Sequence, residues 1–346
     1  MRRLTGLDAL RGVAALMVFV HHVQLPGLHQ ATLGMDAGVL IFFSLSGYLL
    51  YAPFVRARES GVPIDLRGYA IRRVSRILPA YLVAAFVIAA IWDPSLLSDP
   101  IGIALGTATP ILVVWTLQIE AEFYIALPGF AWLVGRLADR DRIVALVALA
   151  GASVGVTVAI MAFAVATTGF VPGVELLTIA TFAWAFVPGM IVAELEQRRH
   201  LDRPIPIAVP ALGMLLIGAS VVVDLPSYLD LAAVIGSAML IATVISRPQF
   251  QGRLARASVA VGALSYPVYL WHEQIIDLVD RPSTWGGALI ALAITAAIAS
   301  ISYLVIERPA MRQGHRLALM RWRPTRQGQE PRPLPLPVAG LPVRRP

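Results

Sequence analysis

Ionisable side chains lie inside long apolar segments of this 346-residue chain, where each needs a chemical or a structural reason. A charged group at the centre of a membrane helix costs ~2.5–3.5 kcal/mol on insertion scales. His22 lies late in the first apolar segment, and Glu120 and Tyr124 lie one helical turn apart in a later one. Because an imidazole gains or loses its proton near neutral pH, His22 is a candidate general base.

Three arginines form a second candidate group with a different chemistry. Eleven positions (22 − 11) separate Arg11 from His22, so the two share nearly one helix face and lie ~16 Å apart along the axis. Arg73 and Arg76, at a predicted helix start, would share a face and could bind a phosphate through paired hydrogen bonds. A phosphorylated thioester carrier with a long flexible arm would fit arginines at one depth and a proton acceptor at another.

Each of these residues also has a purely structural interpretation. Arg11 could be a snorkelling anchor that pairs with Asp8, and His22 could be an interhelical hydrogen-bond partner. Arg73 and Arg76 could serve only to set the membrane topology. The residue types and their spacing fit the chemical and the structural interpretation equally.

Two further strings carry polar residues in apolar surroundings. Ser46 belongs to a Ser-x-Ser-Gly string at 44–47, which could be a seam of small residues for helix packing. His272 and Glu273 follow an aromatic run that includes Trp271. Anchoring at the membrane interface explains the aromatic residues, but it does not explain a buried His–Glu pair.

Composition places the chain in lipid rather than in water. Hydrophobic residues make up 58% of positions, charged residues make up 14%, and the mean hydropathy is +0.73. The absence of cysteine excludes disulfides, thiolate metal sites and cysteine nucleophiles. We expect no metal and no nucleic-acid partner. Because Arg11 and His22 interrupt the first apolar run, we interpret it as a retained helix rather than a signal peptide.

Apolar stretches of the ~17–25 residues needed to cross a bilayer recur along the chain. They predict an all-α integral membrane protein with about ten transmembrane helices, near residues 6–23, 38–54, 78–92, 115–134, 143–170, 176–195, 205–223, 229–245, 257–279 and 286–306. The stretch 101–114 is interpreted as an outer loop or re-entrant piece. An eleventh span there would invert the charge bias of every later loop.

The arginines predict the orientation of these helices, because loops that stay in the cytoplasm carry an excess of basic residues. With both the N- and C-termini cytoplasmic, every arginine outside the first helix falls on the inner side except Arg281. We therefore expect a multi-pass protein of the plasma (inner) membrane. Residues 4–309 would form the membrane domain, and the Arg- and Pro-rich residues 310–346 would form a disordered cytoplasmic tail attracted to anionic lipid.

Four short motifs follow one another at defined spacing: Arg11 with His22, Phe42-Phe43-x-x-Ser46-Gly47-x-Leu49, Arg73-x-x-Arg76 and Glu120-x-x-Phe123-Tyr124. Together they resemble the basic-x10-histidine, FFxxSGxL, RxxR and ExxFY motifs of the acyltransferase-3 family of bacterial membrane O-acyltransferases. The resemblance covers about residues 4–309. The link between the third helix and Trp115 is shorter than the family pattern, and no esterase-like domain follows, as in stand-alone members.

The resemblance implies a membrane O-acyltransferase that takes an acyl group, by default acetyl, from acyl-CoA. The acceptor would be a hydroxyl of a carbohydrate, an envelope glycan or a macrolide-like molecule at the lipid bilayer. Arg11, Arg73 and Arg76 would hold the CoA phosphates, and His22 would be the essential histidine.

Three residues complete the expected site. We predict that Glu120 orients the His22 imidazole and that Ser46 or Tyr124 stabilises the thioester oxygen. Direct transfer and an acyl-histidine or acyl-serine intermediate both stay open. The alternative function is an exporter of sugars or polyols without acyl-transfer activity, since polar groups within membrane helices also describe transporters.

Overall fold

The computed structural model describes residues 4–23, 34–108, 111, 113–168, 178–198, 200–223 and 229–320. Within these ranges the chain is helical and contains no strand, which confirms the predicted all-α class for them. The helices are α1 (Thr5–His22), α2 (Ala37–Ser60), α3 (Leu66–Trp92), α4 (Pro100–Leu105), α5 (Val114–Gly135), α6 (Asp139–Thr168), α7 (Ile179–Gln197), α8 (Ala208–Val223), α9 (Leu231–Ile245), α10 (Gly252–Leu278), α11 (Trp285–Ser302) and α12 (Arg308–Met320).

The long helices coincide with the predicted apolar segments. In the described part of the chain, ten helices have at least 15 residues, and each overlaps one predicted segment. Five helical stretches are long and apolar enough to cross a membrane by length and composition: Gly34–Ser60, Leu66–Trp92, Asp139–Thr168, Ile179–Gln197 and Trp285–Met320. These stretches support a multi-pass membrane protein, while the count of ten spans and the orientation of the termini stay predictions.

The third long helix begins earlier than hydropathy predicted. α3 starts at Leu66, and the Asp65 carboxylate caps it by accepting a hydrogen bond from the Gly68 backbone N–H at 2.8 Å. Arg73 and Arg76 therefore lie about two turns inside the helix rather than at its start. After α3, the segment predicted as an outer loop contains α4, whose six residues are too few to cross a bilayer.

The predicted disordered tail is corrected at its beginning. α12 continues to Met320, so residues 310–320 are helical. Gly314 of α12 packs on α3 so closely that an added Cβ would lie 2.1 Å from Ser75 Oγ. Hydropathy did not predict this helix, because the arginines of the segment interrupt any apolar run. Residues 321–346 of the predicted tail lie outside the described residues.

Close backbone contact between α2 and α7 sets the direction of the α2 side chains. A Cβ added to Gly47 would lie 2.0 Å from Phe186 O, and one added to Gly189 would lie 1.9 Å from Ser44 O. Ser44 Oγ also donates to Ala185 O at 3.1 Å. The packing interpretation of the 44–47 string therefore holds for Ser44 and Gly47. Ser46 lies on a different face of the helix.

α1 packs against α10 along its whole length. Near the start of α1, a Cβ added to Gly262 of α10 would lie 2.7 Å from Asp8 O. Near its end, the rings of His22 and His272 lie with centroids 4.7 Å apart. This pairing places Arg11 and His22 beside the same neighbouring helix.

Candidate functional site

A cavity of about 770 Å³ opens at the end of the bundle where α1 begins and α2 ends. We call it the large cavity. Arg11, Arg73 and Arg76 line it together with Glu196 and Glu307. A narrower cavity of about 80 Å³, the chamber, shares the same three arginines and extends towards the opposite end of the bundle.

The chamber collects most of the residues predicted to act in catalysis. Ser46 comes from α2, and Glu120 and Tyr124 come from α5. Ser46 Oγ donates to Glu120 Oε1 at 2.7 Å. The structure thus brings Ser46, Glu120 and Tyr124 together with all three predicted phosphate-binding arginines.

The three arginines form no ion pair with any carboxylate of the described residues. Arg73 Nε is buried and has no hydrogen-bond partner there. Its guanidinium carbon lies 5.8 Å from the Tyr69 ring centroid and 6.0 Å from that of Tyr124, which offers partial compensation through cation–π contact. Unpaired guanidinium groups that line a cavity have the charge and the hydrogen-bond donors to bind an anion such as phosphate.

Arg58, in contrast to these three arginines, forms an ion pair with a buried carboxylate. Arg58 donates to Glu194 through two nitrogens, at 3.1 and 2.8 Å, and the Tyr51 hydroxyl donates to the same carboxylate at 2.7 Å. Glu194 is 1% exposed. Sequence reasoning missed this cluster, because Arg58 and Glu194 are far apart in the chain and no local pattern links them.

Glu122, two residues after Glu120 on α5, points away from the chamber. Its Oε2 accepts a hydrogen bond from the Ile179 backbone N–H, at the first residue of α7, at 2.6 Å. A carboxylate at this helix end satisfies a free N–H group. Glu122 therefore has a structural role, while Glu120 is the carboxylate of the chamber.

His22 lies outside both cavities and does not contact Glu120. Its Nδ1 lies 2.9 Å from Val18 O and 3.3 Å from His272 Nε2. The predicted orienting contact from Glu120 is therefore absent, because Glu120 faces Ser46 instead. His272 takes the neighbouring position. Sequence reasoning noted His272 as a buried polar residue but did not place it in the site.

Tyr269 separates the chamber from the histidine pair. Its side chain lines the chamber, and its ring centroid lies 5.8 Å from that of His272. The Tyr269 hydroxyl lies 2.5 Å from Thr116 Oγ1 and donates to Val113 O at 3.1 Å. These contacts attach α10 to the start of α5. The chamber and the histidine pair are thus neighbours with one aromatic side chain between them.

No group of three or more His, Cys, Asp or Glu side chains that could hold a metal ion occurs among the described residues. The candidate site consists of arginines, a serine, a carboxylate, tyrosines and paired histidines. These groups can bind an anion, transfer protons and stabilise a developing oxyanion.

Comparison of the sequence with known proteins identifies its family. The model of the acyltransferase domain of the acyltransferase-3 family matches residues 4–307. YrhL of Bacillus subtilis, provisionally named a peptidoglycan O-acetyltransferase, is 26% identical over 91% of this chain and 56% of its own length. The peptidoglycan O-acetyltransferase OatA of Listeria monocytogenes is 24% identical over 89% of this chain and 56% of its own.

A third relative is the O-acetyltransferase OatA of Staphylococcus aureus, which is 23% identical over 90% of this chain and 58% of its own length. The chain thus spans somewhat more than half the length of these relatives. No solved structure matches it. Because the family model covers nearly all of the described helices, the chain belongs to the acyltransferase-3 family.

Proposed function

We propose that the protein is a membrane O-acyltransferase that moves an acyl group, acetyl by default, from acyl-CoA to a hydroxyl of a carbohydrate acceptor. The observation that carries this proposal is the set of three unpaired arginines shared by the large cavity and the chamber that holds Ser46 and Glu120. The names of two relatives, both named peptidoglycan O-acetyltransferases, favour an envelope glycan such as peptidoglycan as the acceptor.

The arginines hold the donor. CoA carries phosphates at one end and a thioester at the end of a long flexible arm. Arg73 and Arg76 bind the phosphates through charge-assisted hydrogen bonds in the large cavity, whose volume of about 770 Å³ lies in the range of small-molecule sites. With the termini in the cytoplasm of a ten-span protein, this cavity opens to cytoplasmic acyl-CoA at the plasma (inner) membrane.

The chamber receives the reacting end of the donor. Its walls combine apolar side chains with the polar groups of Ser46, Tyr124 and Arg11, so water is largely excluded around a few directed hydrogen-bond donors. Arg11 and Tyr124 stabilise the negative charge that develops on the thioester oxygen. Glu120 holds Ser46 in place through their 2.7 Å hydrogen bond.

His22 removes the proton from the acceptor hydroxyl. The hydroxyl oxygen bonds to the acyl carbon while the proton passes to the imidazole, and the CoA thiolate leaves and recovers a proton. The thioester in the chamber and the acceptor hydroxyl at His22 have to meet beside Tyr269, since that ring lies between the chamber and the histidines. The helices then form the path along which the acyl group crosses the membrane.

Thiol release by the purified protein in lipid nanodiscs tests this proposal. With acetyl-CoA and a glycan oligosaccharide, we expect acceptor-dependent release of CoA and an acetylated oligosaccharide in the mass spectrum. The exporter alternative predicts uptake of a sugar or polyol into proteoliposomes with no acetylation. Transport without any transfer would contradict the proposal.

A further inference from the structure

A second histidine is packed directly against the proposed base. His272 is 0% exposed, and its Nε2 lies 3.3 Å from His22 Nδ1. The two rings meet edge to face, with an interplanar angle of 79°. No carboxylate hydrogen-bonds to either ring within the described ranges. A leucine would fill such a position without burying a polar ring, so the imidazole needs a reason.

The hydrogen-bond partners determine which nitrogen of each ring carries its proton. His272 Nδ1 lies 2.7 Å from Tyr269 O, and His22 Nδ1 lies 2.9 Å from Val18 O. A carbonyl oxygen only accepts, so each Nδ1 is the protonated nitrogen. In neutral rings both Nε2 atoms are then unprotonated. His22 Nδ1–H then has two acceptors within reach, Val18 O and His272 Nε2, and shares its proton between them, while His22 Nε2 is left with its lone pair available.

We propose that His272 is the positioning residue for His22, an inference that rests on the proposed acyl transfer. It is the second acceptor of His22 Nδ1–H beside Val18 O, and the two contacts together hold the ring in the tautomer whose Nε2 acts as the base. When Nε2 takes the proton of the acceptor hydroxyl, the Nδ1 proton stays in place. The positive charge of the imidazolium is then shared with His272 through that hydrogen bond.

The arrangement serves the purpose that a carboxylate serves in a Ser-His-Asp triad, with a neutral acceptor instead of a charged one. A neutral acceptor suits apolar surroundings, because burying an unpaired carboxylate there is more costly than burying an imidazole. Carbonyl contacts orient His272 itself, since Tyr269 O fixes its ring one helical turn earlier. The chain Tyr269–His272–His22 thus links the chamber wall to the proposed base.

Variants of His272 separate positioning from simple packing. His272→Leu should lower kcat roughly 10–100-fold, the range typical for loss of a residue that orients an imidazole, while the KM for acetyl-CoA stays unchanged. His272→Gln supplies an acceptor oxygen near the Nε2 position and should recover part of the rate. Gln274→Leu, which replaces another buried polar side chain of α10, should keep wild-type turnover. Wild-type kcat in His272→Leu, or a Gln variant no faster than the Leu variant, would overturn the proposal.

A readout independent of activity distinguishes this inference from the proposed function. Solid-state NMR of ¹⁵N-histidine-labelled protein should show His22 protonated at Nδ1 in the wild type, and in His272→Leu a weaker hydrogen bond of that proton, seen as a shift of its ¹H signal to lower frequency, because Val18 O is then its single acceptor. A wild-type His22 protonated at Nε2 overturns the positioning role, even if the enzyme transfers acetyl groups. Absence of transfer with the Nδ1–H tautomer intact would instead contradict the proposed function alone.

Discussion

Replacing Arg73 with alanine should weaken binding of acyl-CoA while leaving the fold intact. A hydrogen bond to a charged group contributes ~1.5–3 kcal/mol, and each 1.4 kcal/mol is about tenfold in the dissociation constant. One lost phosphate contact therefore raises Kd roughly 10–150-fold. Stability should change little, because Arg73 forms no ion pair with a described residue and its Nε has no hydrogen-bond partner. Only cation–π contacts to two rings, worth about 0.5–1 kcal/mol each, are lost from the fold.

The assay is calorimetry of a thioether analogue of acetyl-CoA with protein in nanodiscs, alongside thermal unfolding. Arg72→Ala is the matched control, since Arg72 is the adjacent arginine of α3, is exposed and lines neither cavity. The double variant Arg73→Ala/Arg76→Ala should bind more weakly than either single variant. Equal Kd values for the wild type and Arg73→Ala would refute the phosphate-binding role. An equal loss of affinity in Arg72→Ala would show that the weaker binding comes from the lower positive charge of the surface and not from a contact of Arg73.

Three further results are expected. His22→Ala should lower acetyl transfer roughly 10²–10⁴-fold, the usual contribution of a general base, with unchanged affinity for the thioether analogue; active His22→Ala would exclude it as the base. Ser46→Ala should lower turnover about tenfold or more without weakening CoA binding, because the chamber loses a polar group that Glu120 holds beside the reacting thioester; a pure binding defect would place Ser46 with the phosphates instead. Glu194→Leu should lower the free energy of unfolding by about 3 kcal/mol, measured by thermal unfolding, because it leaves Arg58 without its buried partner; unchanged stability would show that the Arg58 ion pair contributes nothing.

Hydropathy predicted the long helices well where apolar residues run to both ends. The first segment was predicted at 6–23, and α1 spans Thr5–His22. The method failed where a helix continues through polar residues. The start of α3 and the whole of α12 are rich in arginine, so neither produced an apolar run, although the Asp65 cap stabilises the start of α3 and α12 packs closely on α3.

Motif spacing predicted much of the chamber, because Ser46, Glu120 and the arginines do lie together. It could not predict the partner of His22, since that depends on which helix packs against α1. The short distance between α1 and α10, permitted by Gly262, brings His272 to His22. A sequence without tertiary contacts gives no reason to choose His272 over Glu120 as that partner.

Vectorial transfer in proteoliposomes would show whether this protein carries an acetyl group across the membrane to His22. Acetyl-CoA labelled in its acetyl group would be supplied only on the side to which the large cavity opens, with a glycan oligosaccharide trapped on the other side. We predict label on the trapped oligosaccharide with the wild type, and none with His22→Ala or Arg73→Ala/Arg76→Ala. Label confined to acceptor on the donor side, or full labelling by His22→Ala, would contradict transfer through the helices to His22.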